Sequence, residues 1–384
     1  MKNKSFFPSI IFFSFFWLIA APSMAQDVAT FVDKHGRFKV FDNGKIQDLE
    51  HEEITSVDIG GDYVVYKDNI NQTKRYENGE TEHITDDQRI KFHTAQYLMA
   101  TVEGLKGEIL KVRYGGEEDL LTIDLQRDGF ALGDSILVFI DIDQYLSVFY
   151  DGMTDELTGR FPDARNFKVG TNSVAYITTS GSFLIFHEGE IEEVYHREPA
   201  EKDDEYQYHV GDNFVVFVNE MDKLMAYEEG ELTTLTEFEP DDYIAGDKIV
   251  AFLDDSQKYN VYWNGEVKEL CPRPPKFQAV EDNTLAYVDD RGYLNVFDNG
   301  KNQVLETYQP KQIEVFNGIV AYTDLDGRVK AYYEGKQIKV SKEVVKEKVL
   351  KGILKSFELV GRVIVYTVGN NEVKIFHDGN HYSG

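Results

Sequence analysis

The 384-residue sequence is poor in cysteine and in basic residues. Its single thiol, Cys271, excludes an internal disulfide, so stability must come from packing. No reactive-site motif surrounds Cys271, which favours a structural role. The 40 lysines and arginines are outnumbered by 68 aspartates and glutamates, which gives a net charge of −28. Nucleic acids and anionic membrane surfaces would repel such a chain, so neither is expected as a partner.

Long hydrophobic runs are missing except near the N-terminus. Lys2 and Lys4 precede an apolar run over residues 6–20, which is shorter than a typical membrane span. Ser23, Met24 and Ala25 then supply the small residues of a signal peptidase site. The pattern predicts a signal peptide over residues 1–25, with a retained anchor helix as the alternative. We therefore expect an exported acidic protein, periplasmic or extracellular, with no membrane insertion after cleavage.

Aromatic residues are abundant, with 26 phenylalanines and 23 tyrosines, which indicates a folded chain with a substantial core. The stretch VFDNGK occurs at residues 40–45 and again at 296–301. Its core, an aromatic residue followed three positions later by glycine, recurs along the chain. The glycines of the ten copies are Gly44, Gly79, Gly116, Gly152, Gly189, Gly230, Gly265, Gly300, Gly335 and Gly379. Their spacing of 35–44 residues is typical of a repeat architecture.

A second aromatic residue precedes each glycine by thirteen positions, except in the third unit. That unit has Arg113 in place of the first ring and Ala100 in place of the second. The joint loss predicts a cross-strand aromatic pair, because one ring of a packed pair has little reason to persist alone.

Each unit has room for four strands of about five residues joined by tight turns. A parallel connection would not fit this length, so the strands must be antiparallel. We predict an all-β protein, a β-propeller of about ten four-stranded repeats over residues 26–384. Two alternatives stay open: two five-repeat propellers over residues 26–204 and 205–384, and an open β-solenoid.

The units also resemble the repeats of quinoprotein-type (PQQ-like) propellers. The pattern Y-x-D-x-x-G-x-φ-x-φ-[FY], where φ is an apolar residue, is present at residues 287–297 and 322–332. The resemblance spans nearly all of the chain after the signal peptide. It implies a propeller fold, but the tryptophan docking pattern of those repeats is missing. Only Trp263 remains after signal cleavage, so the resemblance does not imply a quinone, and we expect no cofactor.

The residue after the strand aromatic varies between units and carries a ring in six of them. Equivalent positions of a propeller lie on one circle, so six rings could stack on sugars or anchor a protein. These candidate partner-binding residues are Tyr114, Tyr150, His187, Trp263, Tyr333 and His377. The alternative is that each ring packs against the adjacent blade.

Two further features have competing interpretations. Aspartates that follow the second aromatic residue could bind calcium, but turn capping is favoured, and no metal site is predicted. They are Asp33, Asp68, Asp141, Asp254, Asp289 and Asp324. Residues 341–355 carry five lysines among branched apolar residues at near-helical spacing. They predict either an amphipathic helix or a solvated decoration.

No motif of nucleophilic, metalloprotease or phosphate-binding chemistry is present in the sequence. We therefore expect a non-catalytic scaffold or adaptor for a protein or glycan partner. The alternative is a glycan-active hydrolase or lyase, which predicts a central pocket of clustered carboxylates with raised pKa values. A surface-layer protein that self-associates is a third interpretation.

Overall fold

The computed structural model describes residues 27–126, 129–160, 164–196, 207–350 and 353–384. The predicted signal peptide lies outside them. The described chain is all β, with ten antiparallel sheets, the blades, arranged as a ten-bladed propeller. Within these residues, no helix is long and apolar enough to cross a membrane.

The blades follow one another in chain order, and within each blade the strands pair in sequence order. Blade 1 comprises β1 (Val28–Val32), β2 (Phe38–Asp42) and β3 (Lys45–Glu50). Blade 2 comprises β4 (Ser56–Ile59), β5 (Tyr63–Lys67), β6 (Thr73–Glu77) and β7 (Glu80–Thr85). Blade 3 comprises β8 (Lys91–Thr94), β9 (Met99–Glu103), β10 (Ile109–Tyr114) and β11 (Glu117–Thr122). Blade 4 comprises β12 (Phe130–Leu132), β13 (Ile136–Ile140), β14 (Tyr145–Tyr150) and β15 (Met153–Arg160).

Blade 5 comprises β16 (Ala164–Val169), β17 (Ser173–Thr178), β18 (Ser182–His187) and β19 (Glu190–His196). Blade 6 comprises β20 (Tyr208–Val210), β21 (Phe214–Val218), β22 (Leu224–Glu228) and β23 (Glu231–Thr234). Blade 7 comprises β24 (Tyr243–Ala245), β25 (Ile249–Leu253), β26 (Tyr259–Trp263) and β27 (Glu266–Cys271). Blade 8 comprises β28 (Phe277–Glu281), β29 (Thr284–Val288), β30 (Leu294–Asp298) and β31 (Lys301–Glu306).

Blade 9 comprises β32 (Ile313–Phe316), β33 (Ile319–Thr323), β34 (Val329–Tyr333) and β35 (Lys336–Lys339). A hairpin of β36 (Lys348–Leu350) and β37 (Ile353–Lys355) follows. Blade 10 comprises β38 (Phe357–Val360), β39 (Val363–Val368), β40 (Glu372–His377) and β41 (Asn380–Ser383). In each four-stranded blade the first strand is innermost, and the turns after the first and third strands lie on one face of the ring.

The core lies between blades rather than inside them. The second strand of each blade is apolar on both faces because a neighbouring blade covers each side. In β25, for example, Ile249 and Ala251 pack towards blade 8, whereas Val250 and Phe252 pack towards blade 6. The dense apolar runs of the sequence are therefore explained by burial on both faces.

The ring closes by packing between its first and last blades. Phe41 of blade 1 lies in one apolar cluster with Val363 and Ile375 of blade 10. Blades 5 and 6 are joined in the same way, with the Phe183 ring 5.2 Å from that of Phe217. The boundary between two five-repeat propellers, at residues 204 and 205, lies outside the described residues.

The predicted cross-strand aromatic pair is wrong in its geometry. Tyr76 lies opposite Val64, and Tyr66 lies opposite Lys74, so the two rings of a blade are two positions apart on one face. The rings that touch belong to different blades, as with Phe38 and Tyr66, whose centroids are 5.3 Å apart.

In the third repeat, the prediction that Ala100 replaces the second-strand ring is wrong by one residue. The residue equivalent to Tyr66 is Thr101, which lies opposite Lys111, and not Ala100. Thr101 is buried on the face of blade 3 that also carries Arg113. The joint loss of the two rings therefore reflects a shared seam between blades rather than a direct pair.

The lysine-rich insertion between blades 9 and 10 is a hairpin, so the helical alternative is wrong for its described part. Val345 forms an isolated bridge with Val368 of blade 10 before β36 begins. Val349 and Ile353 are more than 60% exposed. The near-helical spacing of apolar residues therefore does not mark a buried helix face.

The turn aspartates cap turns, as the favoured interpretation predicts. Asp33 Oδ1, for example, accepts hydrogen bonds from the amides of His35 at 2.8 Å and Arg37 at 3.0 Å. The same pattern holds at the five other turns, at Asp68, Asp141, Asp254, Asp289 and Asp324. Burial opposes ionisation, but the donated hydrogen bonds outweigh it and lower the pKa of Asp68, Asp254 and Asp289.

Candidate functional site: the axial mouth and the rim groove

Backbone hydrogen bonds join the turns between the first and second strands of consecutive blades at one end of the central channel, from blade 2 to blade 5 and from blade 6 to blade 8. The amide of Tyr97 donates to the carbonyl of Asp134 at 2.9 Å, and the amide of Asp134 donates to the carbonyl of Thr171 at 3.0 Å. On the other side of the ring, the amide of Asp247 donates to the carbonyl of Asp282 at 2.8 Å. Backbone groups of consecutive blades thus bind one another directly around the mouth.

Glycine is required in these turns by close approach of the next blade. A Cβ at Gly133 would lie 2.1 Å from the carbonyl oxygen of Gly170. A Cβ at Gly211 would lie equally close to the carbonyl oxygen of Asp247. Any larger residue would push the blades apart, so the inner turns of blades 4 to 7 begin with glycine and place a polar residue immediately after it.

Aspartates follow three of these glycines and, together with Glu281 and Asp282 of blade 8, make the channel end acidic. We call this end the axial mouth. It is a cavity of about 490 Å³ lined by the carboxylates of Asp134, Asp212, Asp247, Glu281 and Asp282. The cationic residues beside it are Arg362, which lines the mouth, and Lys248, whose Nζ lies 3.5 Å from Asp212 Oδ2.

Crowding of carboxylates changes their titration. Burial, and then neighbouring negative charge, raise the pKa of Asp134, Asp247 and Glu281. The same two causes raise the pKa of Asp282 to about 7. Near pH 7 the Asp282 carboxyl is therefore only partly ionised, which an ordinary aspartate would not be.

A groove leads from the axial mouth towards the rim on the same face. This rim groove, of about 660 Å³, is lined by the rings of Tyr97, Tyr114, Tyr150 and His187, with Asp212 at its inner end. Tyr97 is 47% exposed. Three of the six predicted ring residues therefore come together beside the acidic mouth. The other three, Trp263, Tyr333 and His377, lie at other seams of the ring.

Five of the six predicted rings also contact the next blade at the seams, whereas the hydrogen bond of His187 lies within its own blade. Tyr114 and Tyr333 donate hydrogen bonds to carboxylates of the next blade, at 3.2 Å to Asp151 and 2.6 Å to Asp378. His187 Nδ1 lies 3.0 Å from Ser173 Oγ, and His377 Nε2 lies 2.9 Å from Asp27 Oδ1. The contacts with the next blade match the alternative of packing between blades, and partner binding by the six rings stays a prediction.

Eight of the ten seams obey a pairing rule that the sequence interpretation missed; the exceptions are the seam of blades 2 and 3 and that of blades 5 and 6, where Tyr227 donates to Glu192. The rule links the third-strand aromatic residue to the residue that follows its counterpart in the preceding blade. At tyrosine–carboxylate seams, the hydroxyl donates across the seam, from Tyr76 to Asp42 (2.8 Å), from Tyr262 to Glu228 (2.9 Å) and from Tyr332 to Asp298 (3.0 Å). At phenylalanine–ring seams, a second ring packs on the phenylalanine. The pairs, with centroid distances, are Tyr114–Phe149 (6.1 Å), Tyr150–Phe186 (5.1 Å), Trp263–Phe297 (6.3 Å), Tyr333–Phe376 (6.1 Å) and His377–Phe41 (5.3 Å).

Two signals in the sequence could have located this face. The Gly-Asp dipeptides at residues 133–134, 211–212 and 246–247 each follow an innermost strand directly. The alternation of carboxylate with tyrosine, and of ring with phenylalanine, is visible once consecutive units are aligned. Both signals connect one repeat to the next, so neither is apparent within a single unit.

The chain matches the model of the 10-bladed beta propeller domain over residues 22–382. It belongs to the family of 10-bladed beta propeller domains. The match spans every described strand and agrees with the ring of ten blades.

Comparison with curated proteins found no match. Among solved structures, the computationally designed Ika8 protein is 18% identical with a TM-score of 0.35, covering 73% of this chain and 96% of that one. BamB from Moraxella catarrhalis is 11% identical with a TM-score of 0.32, covering 78% and 97%. PorZ, a surface component of the type-IX secretion system of Porphyromonas gingivalis, is 10% identical with a TM-score of 0.31, covering 94% and 59%. We base no functional conclusion on these likenesses, and the resemblance to quinoprotein-type repeats stays a prediction.

Proposed function

We propose that this propeller is an exported binding scaffold whose partner inserts a positively charged group into the axial mouth. The observation that carries the proposal is the crowding of five carboxylates in one cavity beside a ring-lined groove. Propellers offer such a surface because many equivalent turns converge on one channel end. The partner is a protein or a glycan-bearing macromolecule.

The charge balance favours a cationic group over a neutral one. The carboxylates of the mouth repel one another, and this repulsion contributes to the raised pKa values of Asp282 and its neighbours. A lysine or arginine side chain from a partner would relieve the repulsion and lower those pKa values. The rings of the rim groove would cover the apolar stem of that side chain or an adjoining residue.

The test is capture of a partner from envelope and culture fractions by the protein from Gln26 onwards. A mouth variant, Asp247→Asn/Asp282→Asn, removes two charges at nearly constant volume. We expect it to retain less than a tenth of the captured partner. The matched control, Asp86→Asn/Asp326→Asn, removes the same charge from exposed turns on the opposite face and should retain capture. Equal loss in both variants would contradict the proposal, because it would indicate an effect of net charge alone.

Export is tested separately by the mass of the protein recovered from each cell fraction. A chain beginning at Gln26 outside the cytoplasm is the expected result. A chain that keeps residues 1–25 would contradict the predicted signal cleavage.

A glycan-active hydrolase or lyase is the second candidate, since one of its predictions matches the structure. It requires a central pocket of clustered carboxylates with raised pKa values, and the axial mouth has this character. Incubation with a panel of neutral and cationic polysaccharides would detect released reducing ends. Release that disappears in Asp282→Asn would favour the enzyme, whereas binding without release favours the scaffold.

A further inference from the structure

Blade 1 differs from the other nine blades in its number of described strands. Each of the others has four, whereas blade 1 has β1, β2 and β3. The pairing of β1 with β2 shows which strand position of blade 1 has no described strand. Phe41 lies opposite Ala29, as Tyr76 lies opposite Val64, so β1 is the second strand of its blade and no described strand lies inside it.

The inner edge of β1 presents backbone groups that are bonded in its neighbour. In blade 2, the carbonyls of Tyr63 and Lys67 accept hydrogen bonds from the segment that contains the innermost strand β4, at 3.0 and 2.9 Å. The equivalent residues of blade 1, 35 positions earlier, are Val28 and Val32. In β1 the outer edge is already used, since the amide of Asn43 donates to the carbonyl of Asp27. The amides and carbonyls of Val28, Thr30 and Val32 therefore face inwards, away from β2.

A cavity of about 610 Å³ lies along this inner edge. Its walls are the innermost strands of the two flanking blades, β4 and β38, together with residues 30–32 of β1. Apolar side chains such as Val57 and Leu359 line it. A strand of four or five residues has about this volume, so the space matches the strand that the other blades possess.

The cavity lining carries three lysines beside the carboxylates of Asp58 and Glu358, whereas the chain as a whole is strongly acidic. Lys346, Lys348 and Lys355, from the hairpin insertion, line it at the face opposite the axial mouth. Lys355 is paired with Glu314 at 2.8 Å, and Lys346 Nζ lies 3.0 Å from Asn371 Oδ1. An antiparallel strand beside β1 would begin at this face, because β1 runs towards it.

We propose that this cavity accepts a β-strand from a partner protein, added antiparallel to β1, with acidic residues at its N-terminal end and alternating apolar residues after them. The hydrogen bonds would come from Val28, Thr30 and Val32, and the lysines would pair with the acidic residues. This inference rests on the proposed export.

The probe is an acetylated heptapeptide of two aspartates followed by alternating valine and threonine, titrated into the protein from Gln26 to Gly384. We expect saturable binding and at least tenfold slower hydrogen exchange at the amides of Val28, Thr30 and Val32 when the peptide is bound. A peptide of the same composition with the aspartates at its C-terminus is the control, and it should bind at least fivefold more weakly.

Two protein variants test the two contacts separately. Thr30→Pro removes an inward-facing amide without touching the bonds between β1 and β2, and it should weaken binding at least tenfold. Thr30→Val keeps the amide and should bind as the parent does. Lys346→Glu/Lys348→Glu should abolish the preference for N-terminal aspartates.

Three results would overturn the proposal. They are no binding of the heptapeptide, unchanged binding to Thr30→Pro, and slow exchange of the three amides without peptide, which would indicate that the chain itself occupies the cavity. The axial-mouth proposal is independent of these results, because Asp247→Asn/Asp282→Asn lies on the other face and should leave heptapeptide binding unchanged.

Discussion

The seam between blades 1 and 2 and the seam between blades 2 and 3 use equivalent positions in opposite ways. In the first seam, Phe38 packs on Tyr66. In the second, the equivalent positions hold Thr73 and Thr101, and both buried hydroxyls have no hydrogen-bond partner among the described residues. A repeat thus keeps or loses its aromatic residues according to the blade it faces.

The same seam replaces the third-strand ring with a charge. Arg113 occupies the position that carries an aromatic residue in every other blade, and it pairs with Glu82 of blade 2 at 2.9 Å. Buried Nε atoms of Arg75 and Arg113 lack described partners. Because unpaired buried polar atoms cost free energy, this seam should be the weakest of the ring. The residues at a seam are therefore matched between two facing blades rather than within a single repeat.

The largest expected effect comes from breaking the aromatic seam. Tyr66→Ala removes a fully buried ring and should lower the free energy of unfolding by about 3–5 kcal/mol. Thr101→Ala, at the equivalent position of the polar seam, removes an unpaired hydroxyl and should change it by less than about 1 kcal/mol. Urea denaturation of both variants measures the contrast. Equal losses would contradict the proposed difference between the seams.

Replacement of one tyrosine–carboxylate pair by a phenylalanine–ring pair tests the pairing rule. Tyr332→Phe leaves Asp298 without its tyrosine donor and should cost about 1 kcal/mol. Asp298→Trp alone places an indole against the Tyr332 hydroxyl and should cost at least as much. The double variant recreates a phenylalanine–ring seam, so we expect it to be more stable than the sum of the two losses. Strictly additive losses in urea denaturation would refute the rule.

The polar seam offers a stabilising change. Glu77→Tyr/Arg113→Phe would convert it to a phenylalanine–ring seam and should raise the free energy of unfolding by about 1 kcal/mol. Glu77→Tyr alone, which leaves Arg113 in place, serves as the control and should not stabilise. Thermal unfolding of the parent protein, the double variant and Glu77→Tyr measures the change in stability. A double variant no more stable than the parent would contradict the prediction.

The smallest expected effect is on the pH dependence of stability, which should differ between the axial mouth and the capped turns. The pKa of Asp282 in the folded protein, about 7, exceeds its ordinary value, so the folded state binds the proton more tightly than the unfolded state. This group therefore destabilises the fold progressively as pH rises from about 4 to 7. Asp282→Asn should reduce the loss of stability between pH 5 and pH 8 by about 1 kcal/mol, after allowance for solvent screening.

The pKa values of the capped aspartates are shifted in the opposite direction, so these residues serve as the reference. Hydrogen bonds hold the pKa of Asp254 below its ordinary value, so its contribution is present at pH 5 and above and is lost only at more acidic pH. Asp254→Asn should therefore leave the difference between pH 5 and pH 8 unchanged. A parallel change in both variants would rule out the assignment to Asp282.

Much of the fold could be predicted from the sequence because it is local and repeated. The glycine after the third strand and the apolar second strand recur in each unit and fix the antiparallel order. Contacts between blades were harder to predict, since the partner of Phe38 is Tyr66 of the next unit. The axial mouth was missed for the same reason: Asp134 and Asp247 are 113 residues apart, and only closure of the ring brings them to one cavity.

The backbone hydrogen bonds between the turns of the axial mouth have an evolutionary consequence. In blades 4 to 7 the aperture is held by main-chain groups and by glycines that no side chain can replace, and the residue after each glycine bonds to other blades chiefly through its backbone. Substitutions at those positions would alter the charge of the opening while leaving its diameter unchanged. Single codon changes could thus convert the acidic opening into a neutral or basic one in related chains, without any change in the ring.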